Sequence, residues 1–241
     1  MVRLGGVGRL ALGLSTRLVA AGVFVACSGV GSALSPWEKG AGVVGLALLL
    51  LLLQGGFNHS LPSSSGPSEA AYGDAGYWEQ RYTASRGECY EWYIPFAPLK
   101  GILSRHLRKA GRVLVVGCGN SDLGADLRED GYAAVVNVDV SASVVAEMRE
   151  KHRRVAELEY RTGDIMDMRD YRDGCFDAIV DKGTLDALLC AGEGDGAAML
   201  RECCRLLRPG GALVIVSNSK ERFPLLQYVF EAAVYVVGGR R

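Results

Sequence analysis

One stretch constrains this chain more than any other: Arg112-Val113-Leu114-Val115-Val116-Gly117-Cys118-Gly119-Asn120-Ser121. A short apolar, β-branched run ends abruptly in a Gly-x-Gly turn, and a helix-compatible segment follows. That is the form of a buried parallel strand delivering its C-terminal end to a small-molecule ligand. Glycine suits the turn because a side chain would block the ligand's approach to the backbone. Asp139 ends the next apolar run, about 20 residues on, where a carboxylate can accept hydrogen bonds from ribose hydroxyls.

Two nucleotide ligands fit such a turn. A dinucleotide site wants Gly-x-Gly-x-x-Gly, with a pyrophosphate on the helix N-terminus. Here the third glycine position is Asp122, a carboxylate near the place of a diphosphate, and like charges there repel. S-adenosylmethionine (SAM) has ribose and adenine, no phosphate, and a sulfonium cation. An acidic, incompletely glycine-rich loop suits SAM better, with NAD as the competing reading.

The rest of the chain repeats the strand–helix alternation. Leu158-Glu159-Tyr160-Arg161-Thr162-Gly163-Asp164 reads as a third strand ending in Gly-Asp, and Phe176-Asp177-Ala178-Ile179-Val180-Asp181-Lys182-Gly183 as a fourth. Arg208-Pro209-Gly210-Gly211 is a tight turn before a fifth, Ala212-Leu213-Val214-Ile215-Val216-Ser217. Helical patterns cover residues 144–151 and 197–207, the second with Met199, Leu200, Cys203, Cys204, Leu206 and Leu207 on one face. The expected fold class is α/β: a mainly parallel, Rossmann-like sheet with helices on both faces and its ligand at the strands' C-terminal ends. Gly117, Asp139, Asp164 and Asp181 all fall at such ends. Each alone reads as a strand-terminating turn residue; four at consecutive strand ends read as a site.

Other chemistries find little support. His59, His106 and His152 lie far apart, and His106 and His152 read as solvated positions on basic helices. Cys203-Cys204 is adjacent and lacks the spacing of a zinc or redox pair, so no metal is expected. The run Arg105, Arg108, Lys109, Arg112 reads as a solvated helix face. With 27 basic and 27 acidic residues the formal charge is zero, so nothing draws the whole chain to nucleic acid. The seven cysteines are odd in number and scattered through strands, helices and the turn. They read as reduced thiols in a cytosol-like compartment.

Several motifs carry a resemblance to a known family. They are Tyr77-Trp78-Glu79-Gln80-Arg81-Tyr82, Glu91-Trp92-Tyr93, Val116-Gly117-Cys118-Gly119-Asn120-Ser121, Asn137-Val138-Asp139-Val140-Ser141 and Asp181-Lys182-Gly183-Thr184-Leu185-Asp186-Ala187-Leu188. Across residues 72–227 the chain resembles the class I SAM-dependent methyltransferases related to the elongation-factor-1-alpha lysine methyltransferases. Asp-Lys-Gly-Thr-Leu-Asp is the most specific of these motifs. The resemblance implies that Trp78, Tyr82 and Trp92 close the pocket over the methionine end of SAM, and that Gly117 and Gly119 pass their backbone under it. It implies further that Asp139 binds the ribose with Val140 beside the adenine, that Asp164 holds the adenine amino group with Ile165 packing on the ring, and that Lys182 sits at the lip.

The implied reaction is methyl transfer from SAM to nitrogen, a protein lysine side chain, with elongation factor 1-alpha as the protein substrate. Lysine must first lose a proton, which at neutral pH costs about 4.6 kcal/mol from a reference pKa of about 10.4. Asp181 and Asp186 are the candidate orienting or proton-accepting groups, Asp181 being the catalytic candidate. The alternatives are that Asp181 caps a turn and that Asp186 lies on a helix surface. Arg81 could hold the cofactor carboxylate or cap a helix. Two further readings stay open: a catalytically inactive SAM-binding or interaction module, and an NAD(P)-dependent oxidoreductase, for which no Tyr-x-x-x-Lys pair follows the fourth strand.

The composition changes sharply near residue 66, dividing the chain into an apolar extension with linker (1–65) and a methyltransferase domain (66–241). Residues 18–37 and 40–57 are uncharged but for Glu38 and Lys39 between them, Arg3, Arg9 and Arg17 precede them, and Ser63-Ser64-Ser65-Gly66-Pro67 reads as a linker. Three readings are open: a membrane anchor, an organelle-targeting or signal segment, or an unusual extension from a mis-assigned start. If both stretches span, they form a hairpin attached to the membrane through residues 18–57, with the enzyme facing the cytosol. At the other end, residues 231–237 supply a sixth strand at most. The antiparallel closing strand of the family's sheet is therefore expected to be missing, leaving an unpaired edge.

Overall fold

The structure, a computed structural model, describes residues 22–26, in backbone only, and residues 69–217. Five parallel strands form the sheet: β2 (Arg112–Val116), β3 (Ala134–Asp139), β4 (Leu158–Thr162), β5 (Phe176–Lys182) and β6 (Leu207–Ser217). A sixth strand, β1 (Gly22–Ala26), completes the spatial order β1-β6-β5-β2-β3-β4. The chain leaves β2 toward β3 and β4, then crosses back to place β5 on β2's other side. The order of strand addition therefore reverses between β2 and β5, and loops diverge there to leave a crevice at the strands' C-terminal ends.

Strand periodicity divides the core. Val113, Val115, Val135, Ala178, Val180 and Val214 face one side of the sheet. There they meet α2 (Phe96–His106), α3 (Leu123–Glu129) and α4 (Ala142–Lys151) through Leu99, Leu103, Leu127, Val144 and Met148. Leu114, Val116, Val136, Ile179, Leu213 and Ile215 face the other side, against α6 (Glu193–Leu206) and the start of α5 (Thr184–Ala191). Both faces of the central strands are thus dry, which is why their sequences are unbroken apolar runs. The expected helices are found with longer N-termini, and Met199, Leu200, Cys203 and Leu206 form the buried stripe of α6. Leu207 already belongs to β6. The Arg208-Pro209-Gly210-Gly211 turn is a bulge at the start of that strand, between Leu207 opposite Phe176 and Ala212 opposite Ala178.

Two expectations are corrected at the sheet edge. Loss of the closing strand was expected to leave an unpaired edge. Instead β1 runs antiparallel along β6, with Gly22 opposite Ser217 and Ala26 opposite Leu213. Backbone groups that an edge would expose are paired from the N-terminal side of the chain. The same strand lies inside residues 18–37, expected as one limb of a membrane hairpin. A strand hydrogen-bonded into this sheet cannot also be part of a spanning helix. Among the described residues no helix is long and apolar enough to cross a membrane. Residues 40–57, the linker at 63–67, His59 and the expected strand at 231–237 lie outside the described residues.

Candidate functional site

The turn after β2 is built around two backbone conformations that favour glycine. Gly117 and Gly119 have φ of +53° and +51°. A Cβ on Gly117 would lie 2.0 Å from the Thr184 hydroxyl, and one on Gly119 2.4 Å from the Tyr82 hydroxyl. The turn is therefore wedged between the start of α5 and the end of α1 (Ala75–Ala84), with no room for side chains. Between the glycines, Cys118 is buried, and burial pushes its thiol well up, away from reactivity.

Asp139 ends β3 beside that turn. Its carboxylate is 6% exposed and accepts from the Gly119 amide at 2.8 Å and the Ser141 amide at 2.9 Å. Burial raises its pKa, opposed by those two amides. A carboxylate has about four acceptor positions, so two remain for hydroxyl donors. Val140, next in the chain, is the most exposed large apolar residue described. On the neighbouring strand end Asp164 is exposed and accepts from the Met166 amide at 2.8 Å, while Ile165 is buried against Val138. Asp139, Val140, Asp164 and Ile165 thus occupy adjoining strand ends, and the Gly163 amide donates to the Asp139 carbonyl at 3.0 Å.

An aromatic group covers the other side of the turn. Trp78 and Tyr82, one helical turn apart on α1, stack with ring centroids 5.7 Å apart. Trp92 meets Trp78 edge-on at 6.1 Å and Tyr90 at 4.9 Å. The Arg81 guanidinium lies between 5.7 and 5.9 Å from the centroids of Trp92, Trp78 and Tyr90 and donates to the Tyr77 hydroxyl at 3.0 Å. These faces already hold one cation in the geometry that stabilises cations by about 0.5–2 kcal/mol each. Tyr82 and Trp92 line the space over the turn; Trp78 backs Tyr82.

Residues 88–92 form a strap across the turn, and Glu91 fastens it. The Glu91 carboxylate accepts from the Ser121 hydroxyl at 2.9 Å, the Asp122 amide at 2.9 Å and the Lys182 ammonium at 2.6 Å. Lys182 also donates to the Trp92 carbonyl at 3.1 Å, and Asn120 Nδ2 to the Glu88 carbonyl at 2.9 Å. Beneath the strap, the space over Gly117 and Gly119 holds about 20 Å³, room for one water. Beside it lies a cleft of about 260 Å³ lined by Arg81, Tyr82, Ala84, Ser85, Glu88, Tyr90, Trp92 and Asn120.

Several expected roles are redistributed. Asp122 does not face the turn; it takes Lys151 at 2.6 Å and His152 at 3.0 Å. The carboxylate that meets the turn is that of Glu91, absent from the sequence-level site because its partners lie 30 residues or more away. Glu91 occupies the Asp122 amide at the start of α3, where a pyrophosphate would bind, which argues against a dinucleotide on the structure's own terms. Lys182 is not a free lip residue, its side chain being 5% exposed and paired with Glu91. Asp181 is fully buried, and its oxygens accept from the Thr184 and Leu185 amides at 2.8 and 3.3 Å. That is the turn-capping alternative, since a proton acceptor must be reachable from the substrate. Asp186, read either as an orienting or proton-accepting group or as a helix-surface residue, is not on the surface: it is buried and accepts from the Tyr93 and Ser217 hydroxyls at 2.9 and 2.8 Å. His152, expected to be solvated, stacks on Tyr160 with centroids 5.8 Å apart, and His106 is half-buried.

A parallel sheet in this order, with a glycine turn and an acidic neighbouring strand end at its switch point, is the frame of the class I SAM-dependent methyltransferases, which dinucleotide-binding folds share in part. Residues 114–215 match a methyltransferase domain model. The chain is 37% identical over 169 residues to mouse EEF1A lysine methyltransferase 4, covering 65% of this chain and 66% of that one. It is 33% identical over 183 residues to the bovine protein of that name, covering 69% and 71%. It is 38% identical over 155 residues to a zebrafish eEF1A lysine and N-terminal methyltransferase, covering 62% of this chain but 22% of that one. This chain belongs to the EEF1A lysine methyltransferase 4 family. SAM is the cofactor, and the residues present fit it: a buried carboxylate with spare acceptor positions for the ribose, an apolar shelf at Val140 for the adenine, and aromatic faces suited to a sulfonium.

Proposed function

We propose that this protein transfers a methyl group from SAM to a lysine side chain of another protein, and that eukaryotic elongation factor 1A is that protein. The cofactor supplies an activated methyl group on a sulfonium. The observation that carries the reading is Asp139, a buried carboxylate presented by the Gly119 and Ser141 amides at the end of β3. The family relatives' names supply the lysine and the elongation factor.

In this reading Asp139 holds the ribose, Val140 and Ile165 flank the adenine, and Asp164 takes its amino group. Tyr82 and Trp92 exclude water at the methionine end. Lys182 braces the strap that carries Trp92. The acceptor lysine enters the cleft beside Arg81, Tyr90 and Trp92. Burial and the fixed Arg81 charge both push an entering ammonium toward its neutral, nucleophilic form. Positioning and desolvation then do most of the remaining work. The compartment proposed is reducing and cytosol-facing; Cys89, Cys118, Cys175, Cys203 and Cys204 are thiols, which supports it.

The test is incubation of the full chain and purified elongation factor 1A with isotopically labelled SAM, followed by mass spectrometry of the acceptor's lysines. Site-specific lysine methylation that disappears with Asp139→Ala supports the reading. A folded protein that binds SAM yet labels no lysine in elongation factor 1A overturns the acceptor.

A further inference from the structure

Glu91 has no place in the cofactor contacts described above, yet it is the junction of three elements. Its carboxylate joins the 88–92 strap to Ser121 and Asp122 at the end of the glycine turn, and to Lys182 at the end of β5. The pair with Lys182 is shielded, with side chains 25% and 5% exposed. Removing one partner of such a pair leaves the other charge buried and unpaired, which weakens the junction. The strap it fastens carries Tyr90 and Trp92, which line both the 20 Å³ space over the turn and the 260 Å³ cleft outside it. Pockets for ligands of drug size or larger run from about 300 Å³ upward. The strap must therefore lift for a nucleoside to settle on Gly117 and Gly119, and Glu91 sets how firmly it closes again.

We propose that Glu91 is a positioning residue that latches the 88–92 strap over the cofactor and thereby sets the cofactor's residence time. This rests on the assignment of the glycine turn to SAM. Glu91 has three ties, and each can be loosened separately. Glu91→Gln keeps an oxygen for the Ser121 hydroxyl and the Asp122 amide but removes the charge facing Lys182. Ser121→Ala removes the hydroxyl tie and leaves the ion pair.

The readout is intrinsic fluorescence. The chain has three tryptophans, and Trp78 and Trp92 belong to the aromatic group at the strap. Stopped-flow mixing of the full chain with S-adenosylhomocysteine, the demethylated product, gives association and dissociation rates without turnover. Glu91→Gln is expected to speed dissociation by about tenfold, and association should rise too, because the strap it loosens is the one that must lift for entry. Ser121→Ala is expected to speed dissociation by a smaller factor. The two together should be non-additive, because both open one junction. If Glu91→Gln does not fold, as judged by circular dichroism, the Ser121→Ala rate decides alone. Dissociation rates equal to wild type in the folded variants overturn the latch while leaving the cofactor assignment standing. Failure of the folded wild type to bind overturns both.

Discussion

Burial makes Asp181, at the end of β5, a pH-dependent liability. Burial first, and then the charge of Asp186, pushes Asp181 up to about 7, well above the ordinary carboxylate value. Its folded value thus lies above its unfolded one, and between the two the native state holds a proton that the unfolded chain has released. Asp181's contribution to stability is full below the unfolded value and is lost as pH rises toward about 7. Asp181→Asn is neutral throughout, so its urea midpoint relative to wild type should rise between about pH 4 and about pH 7 and level off above that. A constant difference would show that Asp181 does not titrate there. At Gly119, alanine should cost at least about 1 kcal/mol from the left-handed backbone alone, with more from the Tyr82 hydroxyl. Adding Tyr82→Phe should recover part of the loss in melting temperature, because that hydroxyl is the atom met first, at 2.4 Å against 3.3 Å for the ring. Gly117, Gly119 and Asp139 were legible in the sequence because a strand-turn-helix pattern fixes their place. Glu91 and the buried role of Asp186 were not, since both are defined by partners on other elements. Asp181 and Asp186 stand in a sequence motif that names their place and says nothing of which way their oxygens turn.

Among the elements, α1 is held over the site from below by α4. Ser141 caps α4, accepting from the Val144 amide at 3.3 Å, and its hydroxyl also donates to Glu79 of α1 at 2.6 Å. Ser143 adds its amide, at 3.3 Å, and its hydroxyl to the same carboxylate. The Ser141 hydrogen bond is the largest of the effects that lower the Glu79 pKa. The link is therefore present above the ordinary carboxylate range and is lost on acidification. Ser141→Ala removes a cap and half of this tether. It should lower stability by about 0.5–2 kcal/mol and weaken SAM binding, because α1 carries Trp78 and Tyr82. Chemical denaturation and calorimetry on the one variant separate the two effects; unchanged SAM affinity at reduced stability would confine Ser141 to capping. The existence of the parallel strands and of α4 and α6 was legible from apolar runs and helical periodicity; the order of the strands in the sheet was not. The strap at 88–92 has neither, and only its aromatic residues marked it.

At the scale of the molecule, the edge of β6 is closed by a segment more than 180 residues earlier in the chain, and no local pattern could have announced that pairing. An apolar run such as residues 18–37 reads equally as a membrane segment or as a strand when seen alone. Deleting residues 1–65 should expose the β6 edge and promote self-association, read as a rise in mass by light scattering as concentration increases. A monomeric, equally stable product would show that β1 is dispensable to the sheet. Asp139, at the switch point beside β2, is proposed to hold SAM in a folded class I site. The most direct measurement is a calorimetric titration of SAM into the full chain and into Asp139→Ala, with NADH as control and circular dichroism as the check on folding. The expected result is saturable SAM binding by the wild type, none of NADH, and at least about a hundredfold loss in the variant, the scale of two charge-assisted hydrogen bonds. Unchanged SAM affinity in a folded Asp139→Ala protein would contradict the assignment.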